Sequence, residues 1–212
     1  DPGSLVFNKK GCVTCGSFYH PMEGTIEFWI KPASNQNNEW IVSISKDKDN
    51  SMEFGFGATA AQFTIKRAGE YEYATCDKEK IPVGQWSHIA CAFGNGKAVI
   101  FVNGTGNYRR SNPGKYTLEH LAGGELRLGV GAKNDEKYNG LLAEVRLSDN
   151  IRYAEDFTPP AFPLTADPNT VALWHFIEES ETLADASGHN HPAALSGVVE
   201  HSKERPGAPA AK

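Results

Sequence analysis

Apolar residues along this chain recur in short runs with a period of two. Ile26, Phe28 and Ile30 alternate with Thr25, Glu27, Trp29 and Lys31 before Pro32 stops the run, and Met52, Phe54, Phe56, Phe63 and Ile65 repeat the pattern further on. Successive side chains of a strand point to opposite faces, so this spacing predicts strands with one buried face. Residues 87–93 and 97–102 depart from it. There Ile89, Ala90, Cys91, Ala92, Val99, Ile100, Phe101 and Val102 run almost without polar interruption on either side of Gly94-Asn95-Gly96. Asn-Gly between apolar runs marks a type I′ hairpin, because both residues accept a positive φ. Strands apolar on both faces predict that the hairpin lies in the middle of a packed sheet. A second pair, Asn103-Gly104, closes its far end.

The same reading predicts strands at 4–8, 24–32, 40–45, 52–57, 62–66, 71–76, 125–131, 140–147 and 170–176. Polar loops join them at 34–39, 46–51, 77–84 and 105–124, the last with a short helical stretch near 118–122, and a proline-containing turn occupies 149–163. Short strands at regular spacing, with no amphipathic helix of ordinary length and no repeat, predict an all-β fold: a two-sheet antiparallel β-sandwich of jelly-roll type. Residues 158–167 are a candidate boundary. The segment beyond offers one long strand, too little for a core of its own, so a single domain over 1–200 is expected. Residues 201–212, rich in Pro, Ala and charge, read as a linker or tail.

Composition narrows the partners. Of the 212 residues 40% are hydrophobic, enough for a sizeable core, and the formal net charge is -5 with a pI near 5.8. That balance argues against nucleic acid, which rewards basic surfaces. No apolar run approaches the roughly 20 residues that span a bilayer, so membrane insertion is not expected. No signal-peptide pattern is present, and the chain reads as a monomeric module of a longer protein. Its four cysteines, Cys12, Cys15, Cys76 and Cys91, leave disulfides, buried thiols and a metal site open. A zinc site would want a second close pair, and Cys91, inside an apolar strand, is expected to be buried.

Five segments in order carry a family resemblance. Gly24-Thr-Ile-Glu-Phe-Trp-Ile-Lys-Pro32, Trp86-Ser-His-Ile-Ala90 with Ile100-Phe-Val-Asn-Gly104, Gly140-Leu-Leu-Ala-Glu-Val-Arg-Leu-Ser148, Ile151-Arg-Tyr-Ala-Glu-Asp-Phe-Thr-Pro159, and Leu173-Trp-His-Phe176 with Asp185-Ala-Ser-Gly-His-Asn190 are similar to the strand motifs of the laminin G-like, concanavalin A-like jelly-roll superfamily, its bacterial LamG-like group in particular. The last pair often opens such domains and here stands near the C-terminus. The resemblance implies a secreted or cell-surface protein and, in many members, a structural Ca²⁺ at the sandwich edge.

Asp185, Ser187 and Asn190, with Glu178, are the candidate calcium ligands, since a carboxylate beside a glycine turn can offer a hard cation side-chain and carbonyl oxygens. Ile177 stands where the family carries an acid. The alternative is an Asx turn, in which Asp185 accepts backbone amides. His88 and His175, on packed strands, read as hydrogen-bonded core residues. Glu144 and Arg146 share a strand face and read as a structural ion pair or cross-strand pairing. Glycoside hydrolysis needs two carboxylates flanking one bond. No alternating acid motif occurs, and Glu178-Glu179-Ser180-Glu181 reads as a solvated loop, so no enzymatic activity is expected. A saccharide is held by aromatic faces and planar polar groups, most naturally on loops. Trp40, Tyr71, Tyr108, Arg109, Arg110, Tyr116, Asn134, Asp135 and Tyr138 are the candidates. A non-catalytic carbohydrate-binding module is expected, with a protein–protein adhesion or spacer module as the alternative.

Overall fold

The computed structural model describes residues 3–107, 116–177 and 179–207. Fourteen strands fill it: β1 (Ser4–Gly16), β2 (Gly24–Pro32), β3 (Glu39–Asp47), β4 (Asn50–Phe56), β5 (Ala61–Arg67), β6 (Glu70–Cys76), β7 (Ser87–Gly94), β8 (Lys97–Val102), β9 (Thr105–Asn107), β10 (Glu125–Leu128), β11 (Asn139–Ser148), β12 (Thr170–Trp174), β13 (Thr182–Leu183) and β14 (Ala193–Ser202). The helical stretches among the described residues are two 3₁₀ turns, Lys78–Lys80 and Glu119–Leu121, neither able to cross a membrane. All named pairings are antiparallel, in the order β6-β5-β4-β3-β10-β1-β11-β2-β7-β8-β9, with β12 on β11, β14 on β1 and β13 on β14.

β1 makes this a sandwich. Its first half, Leu5 to Asn8, pairs with β11, and its second half, Val13 to Gly16, pairs with β10. One strand therefore passes from one layer into the other, with Lys9 at φ 67 between the halves. The inner faces then meet ring on ring: Phe28 of β2 against Phe54 of β4 at 5.4 Å, and Phe63 of β5 against Phe93 of β7 at 5.8 Å. The alternating residues read from the sequence, Ile26, Phe28, Ile30, Met52, Phe54, Phe56, Phe63 and Ile65, all lie in this core.

The doubly apolar hairpin forms as expected, with Gly94 opposite Lys97 and Asn95-Gly96 at φ 49 and 72. Asn103-Gly104, at φ 50 and 78, makes a second tight turn into β9. Its position differs from the expectation. β7 and β8 lie near one end of the strand order, and their second face is covered by a strap, residues 150–167, rather than by more sheet. Ile151, Tyr153 and Phe157 of that strap pack on Ala90, Ala92 and Phe101. The proline-containing stretch read as a turn is thus the lid of a second, smaller core.

The strands go beyond the sequence reading. β1 continues to Gly16, β9 lies in the expected 105–124 loop, and the segment that offered one strand adds β13 and β14, the latter running to Ser202, past the expected end of the domain. β14 is largely exposed, and Gly197 at φ 75 interrupts its alternation, so it carries little of the period-two signal. Glu204 then packs back, its carbonyl accepting a hydrogen bond from Ser4 Oγ at 2.6 Å. All four cysteines are free and buried. Burial pushes the thiol of Cys76 up to about 12 and raises those of Cys15 and Cys91.

Candidate functional site

β3 to β6 and β10 turn apolar side chains inward and a polar row outward. Register sets the row: Arg127 of β10 stands opposite Ser43 of β3, Ser43 opposite Glu53 of β4, Glu53 opposite Thr64 of β5, and Thr64 opposite Tyr73 of β6. A parallel row links Glu125, Ser45, Ser51, Lys66 and Tyr71. Two tyrosines, 54% and 43% exposed at positions 71 and 73, therefore stand side by side on the edge strand at the end of two lines of hydroxyl and charged groups. Lys66 Nζ lies over the Tyr71 ring, 5.1 Å from its centroid. The buried hydroxyls of Ser43 and Thr64, flanking Glu53, have no partner among the described residues.

A loop, residues 131–137, walls this face. It closes through Gly131 N–H to Glu136 O at 2.8 Å and Asn134 N–H to Gly131 O at 2.9 Å. Trp40 fastens it to the sheet: its indole N–H donates to Glu136 Oε2 at 2.6 Å. Gly131 permits the approach, since a Cβ there would fall 2.7 Å from the indole ring. Ala132 N–H donates to Glu53 Oε1 at 2.6 Å. Burial raises the Glu53 carboxyl above its ordinary value, and Glu136 and Asp135 add to the rise while the Ala132 amide opposes it. Between loop and tyrosines lies a groove of about 310 Å³, lined by Ser45, Ser51, Glu53, Lys66, Tyr71 and Lys133 among others.

The sequence candidates separate accordingly. Tyr71 lies on the groove, and Asn134 and Asp135 are exposed at the tip of its wall. Trp40 and Tyr138 are corrected: both are buried, Trp40 as the anchor of the wall and Tyr138 in the core, 6.0 Å from Phe7, with its hydroxyl donating to Leu141 O at 3.2 Å. Tyr116 is buried as well and donates to the carbonyl of Tyr73 at 3.2 Å. Tyr108, Arg109, Arg110 and Glu178 lie outside the described residues. Tyr73, Lys66 and Glu53 were missed; the signal was Tyr71-x-Tyr73, two aromatics on one face of a strand with no apolar partner between them.

Asp185 is surrounded by donors. Oδ1 accepts from the amides of Leu173 at 3.0 Å and Ser187 at 2.8 Å; Oδ2 accepts from the Ser187 hydroxyl at 2.7 Å and the His191 amide at 3.0 Å. Partial burial alone would raise this carboxyl, but the amides of His191, Leu173 and Ser187 hold it below its ordinary value. This is the contact pattern of an Asx turn, and a calcium ion on the same oxygens would have to displace those donors. Among the described residues no three His, Cys, Asp or Glu side chains gather to hold a metal.

The remaining titratable cluster is structural and holds the strap. Arg146 stands opposite Glu27 across the sheet and donates from Nε to Glu27 Oε1 at 2.8 Å and from a terminal nitrogen to Thr165 O at 2.7 Å. Tyr153 donates to Glu27 Oε2 at 2.8 Å, and His88 Nε2 lies 3.2 Å from the same oxygen. Glu144, at a bulge with φ 47, accepts the Leu164 amide at 2.7 Å and contacts His175 Nδ1. Glu144 and Arg146 thus share a face, as expected, and each ties the strap rather than the other.

A family model described as the concanavalin A-like lectin/glucanases superfamily, of laminin G type, matches residues 11–158. The chain belongs to that laminin G-like family. No curated protein matches it by sequence. Among solved structures it is similar to a candidate carbohydrate-binding protein from Bacteroides ovatus ATCC 8483, with a TM-score of 0.70 at 15% identity over 97% of this chain. The chain spans 61% of that protein's length. It is also similar to domain 4 of AbnA, a GH43 extracellular arabinanase from Geobacillus stearothermophilus solved with arabinotriose, at a TM-score of 0.53 and 20% identity over 68% of this chain and 69% of that one. A third similar structure is the CBM40 of the Ruminococcus gnavus IT-sialidase bound to α2,3 sialyllactose, at a TM-score of 0.55 and 12% identity over 63% of this chain and 79% of that one. At these identities the likeness shows the laminin G-like fold.

Proposed function

We propose that this laminin G-like chain is a non-catalytic carbohydrate-binding module that holds a saccharide in the groove between Tyr71, Tyr73 and the 131–137 loop. The observation that carries the reading is the pair of exposed tyrosines at the end of two polar rows. Sugar rings present apolar C–H faces to aromatic planes and hydroxyls to planar or charged groups, and this face supplies both. The solved structures that resemble it and bind saccharides support the same reading.

The acids of the face favour binding over hydrolysis. Glu125 is held by Arg127 Nε at 2.6 Å, and Asp47 accepts from Asn50 Nδ2 at 2.9 Å and the Asp49 amide at 2.8 Å. Of the two carboxylates that line the groove, Glu53 accepts the Ala132 amide and Asp47 is taken up by its own turn, whereas hydrolysis requires a pair flanking one bond. A polysaccharide ligand fits a secreted or cell-surface setting. The test is retardation of the full chain in gels containing soluble polysaccharides, alongside the double variant Tyr71→Ala/Tyr73→Ala. Binding by the parent and its loss in the variant supports the reading. Silence across a broad panel with folded protein overturns it and favours a protein-adhesion or spacer role.

A further inference from the structure

The outward row does not stop at Arg127. Thr14 of β1 stands opposite Arg127, and Ala194 of β14 opposite Thr14, so one line crosses seven strands from Ala194 to Tyr73. At about 4.8 Å per strand spacing, its six steps span roughly 29 Å. The 131–137 loop divides this face into two grooves. The second, of about 320 Å³, lies on the far side of the loop from the tyrosines and is lined by Lys10, Thr14, Arg127, Asn134, Lys137 and Ser196 among others.

Its charge is opposite in sign to that of the protein. The whole chain carries a formal charge of -5, yet this groove gathers Lys10, Lys137 and Arg127 against one lining carboxylate, Glu125. Arg127 already occupies that carboxylate. Lys10 and Lys137 form no ion pair among the described residues. Two free ammonium groups beside Asn134 and the exposed Ser196 offer donors to an anion and little to a neutral ring. Concentrating positive charge in a concavity of a negative protein also draws an anionic chain to that place.

We infer that the second groove takes the acidic group, carboxylate or sulfate, of a saccharide chain that continues over the 131–137 loop into the tyrosine groove. The ligand class is then an acidic polysaccharide. This inference rests on the saccharide reading above and adds the charge, the second site and the direction of the chain, across the strands.

Matched polysaccharides test it with the full chain. Dextran sulfate is compared with dextran, and polygalacturonate with its methyl-esterified form, so that the sulfate and carboxylate arms are read separately. The acidic member of at least one pair binds about tenfold more tightly than its neutral partner, and raising the salt removes the difference. Lys10→Gln/Lys137→Gln abolishes that preference without changing the melting temperature, whereas Tyr71→Ala/Tyr73→Ala weakens binding to every member that binds. Equal binding of the acidic and neutral members, or a lysine variant that keeps the preference, overturns the inference. If the tyrosine variant still loses binding in that case, the saccharide reading stands alone. If the lysine variant abolishes binding and the tyrosine variant leaves it untouched, the continuous chain is wrong. If no member binds, both fail.

Discussion

Nε2 of His88 lies 3.2 Å from Oε2 of Glu27 beneath the strap, with neither side chain reaching solvent. Glu27 is the hub of that layer, receiving Arg146 and Tyr153 as well. Burial alone would raise its carboxyl, but His88, Arg146 and Tyr153 together hold it below the ordinary value of 4.5.

Glu27→Gln therefore leaves a buried arginine uncompensated, and breaking such a pair costs about 3–5 kcal/mol. A folded-state value below the unfolded one means the unfolded chain binds more protons. The stabilisation by Glu27 is complete above about pH 4.5 and is lost as the pH falls through the folded-state value. Urea melts at pH 7 and down the acid limb check both points: the variant is weaker at pH 7 and its stability falls less steeply in acid.

Glu53 behaves in the opposite sense. Its carboxyl is raised by burial, so its charge disfavours the folded state once the pH climbs from its ordinary value through the folded one. Glu53→Gln keeps an acceptor for the Ala132 amide and removes that cost. The variant is expected to equal the parent near pH 4 and to match or exceed it at pH 7 in the same melts.

Trp40→Phe removes the donor to Glu136 and with it one tie between sheet and loop, leaving the Ala132 amide on Glu53. A hydrogen bond to a charged group contributes about 1.5–3 kcal/mol. The melting temperature drops accordingly, and saccharide affinity falls although residue 40 touches no ligand. Wild-type affinity in this variant would show that the wall does not shape the groove.

Asp185→Ala strands the amides of Leu173, Ser187 and His191. Unsatisfied donors cost about 1–3 kcal/mol each where buried, so the loss is large for one turn. With its oxygens filled by donors, the parent is expected to melt at the same temperature in calcium and in chelator. An ion bound at a hundredfold over its dissociation constant would add about 2.7 kcal/mol, several degrees, and so would reveal itself.

The core was legible because its signal is local. Ile26, Phe28 and Ile30 alternate, Asn95-Gly96 turns, and each statement needs only neighbouring residues. The groove was not, because it is a property of register. Ser43, Glu53, Thr64 and Tyr73 are unremarkable one by one and become a row only when four strands are paired. Trp40 and Tyr138 show the converse error. The sequence offers both as ligand contacts, but the indole donates to Glu136 and the phenol to Leu141 O, so both are buried with their polar ends satisfied. The strap misled in the same way: Ile151, Tyr153 and Phe157 are spaced too irregularly to read as a strand, yet they cover two, β7 and β8.

Within this fold β1 precedes every other strand and is among the last to be completed. Ser4 meets Ser202, Leu5 meets Leu142 and Val13 meets Leu128, so none of these partners exists until synthesis has reached Leu128 or beyond. During translation, at about 5–20 residues per second, the hairpins of β3 to β6 and of β7 and β8 can close on their own. The strand that joins the two layers must wait, with Leu5, Phe7 and Val13 uncovered for several seconds or more. Until β10 and β11 emerge the two layers have no strand to join them, and β14, last of these strands in chain order, closes over the first of them.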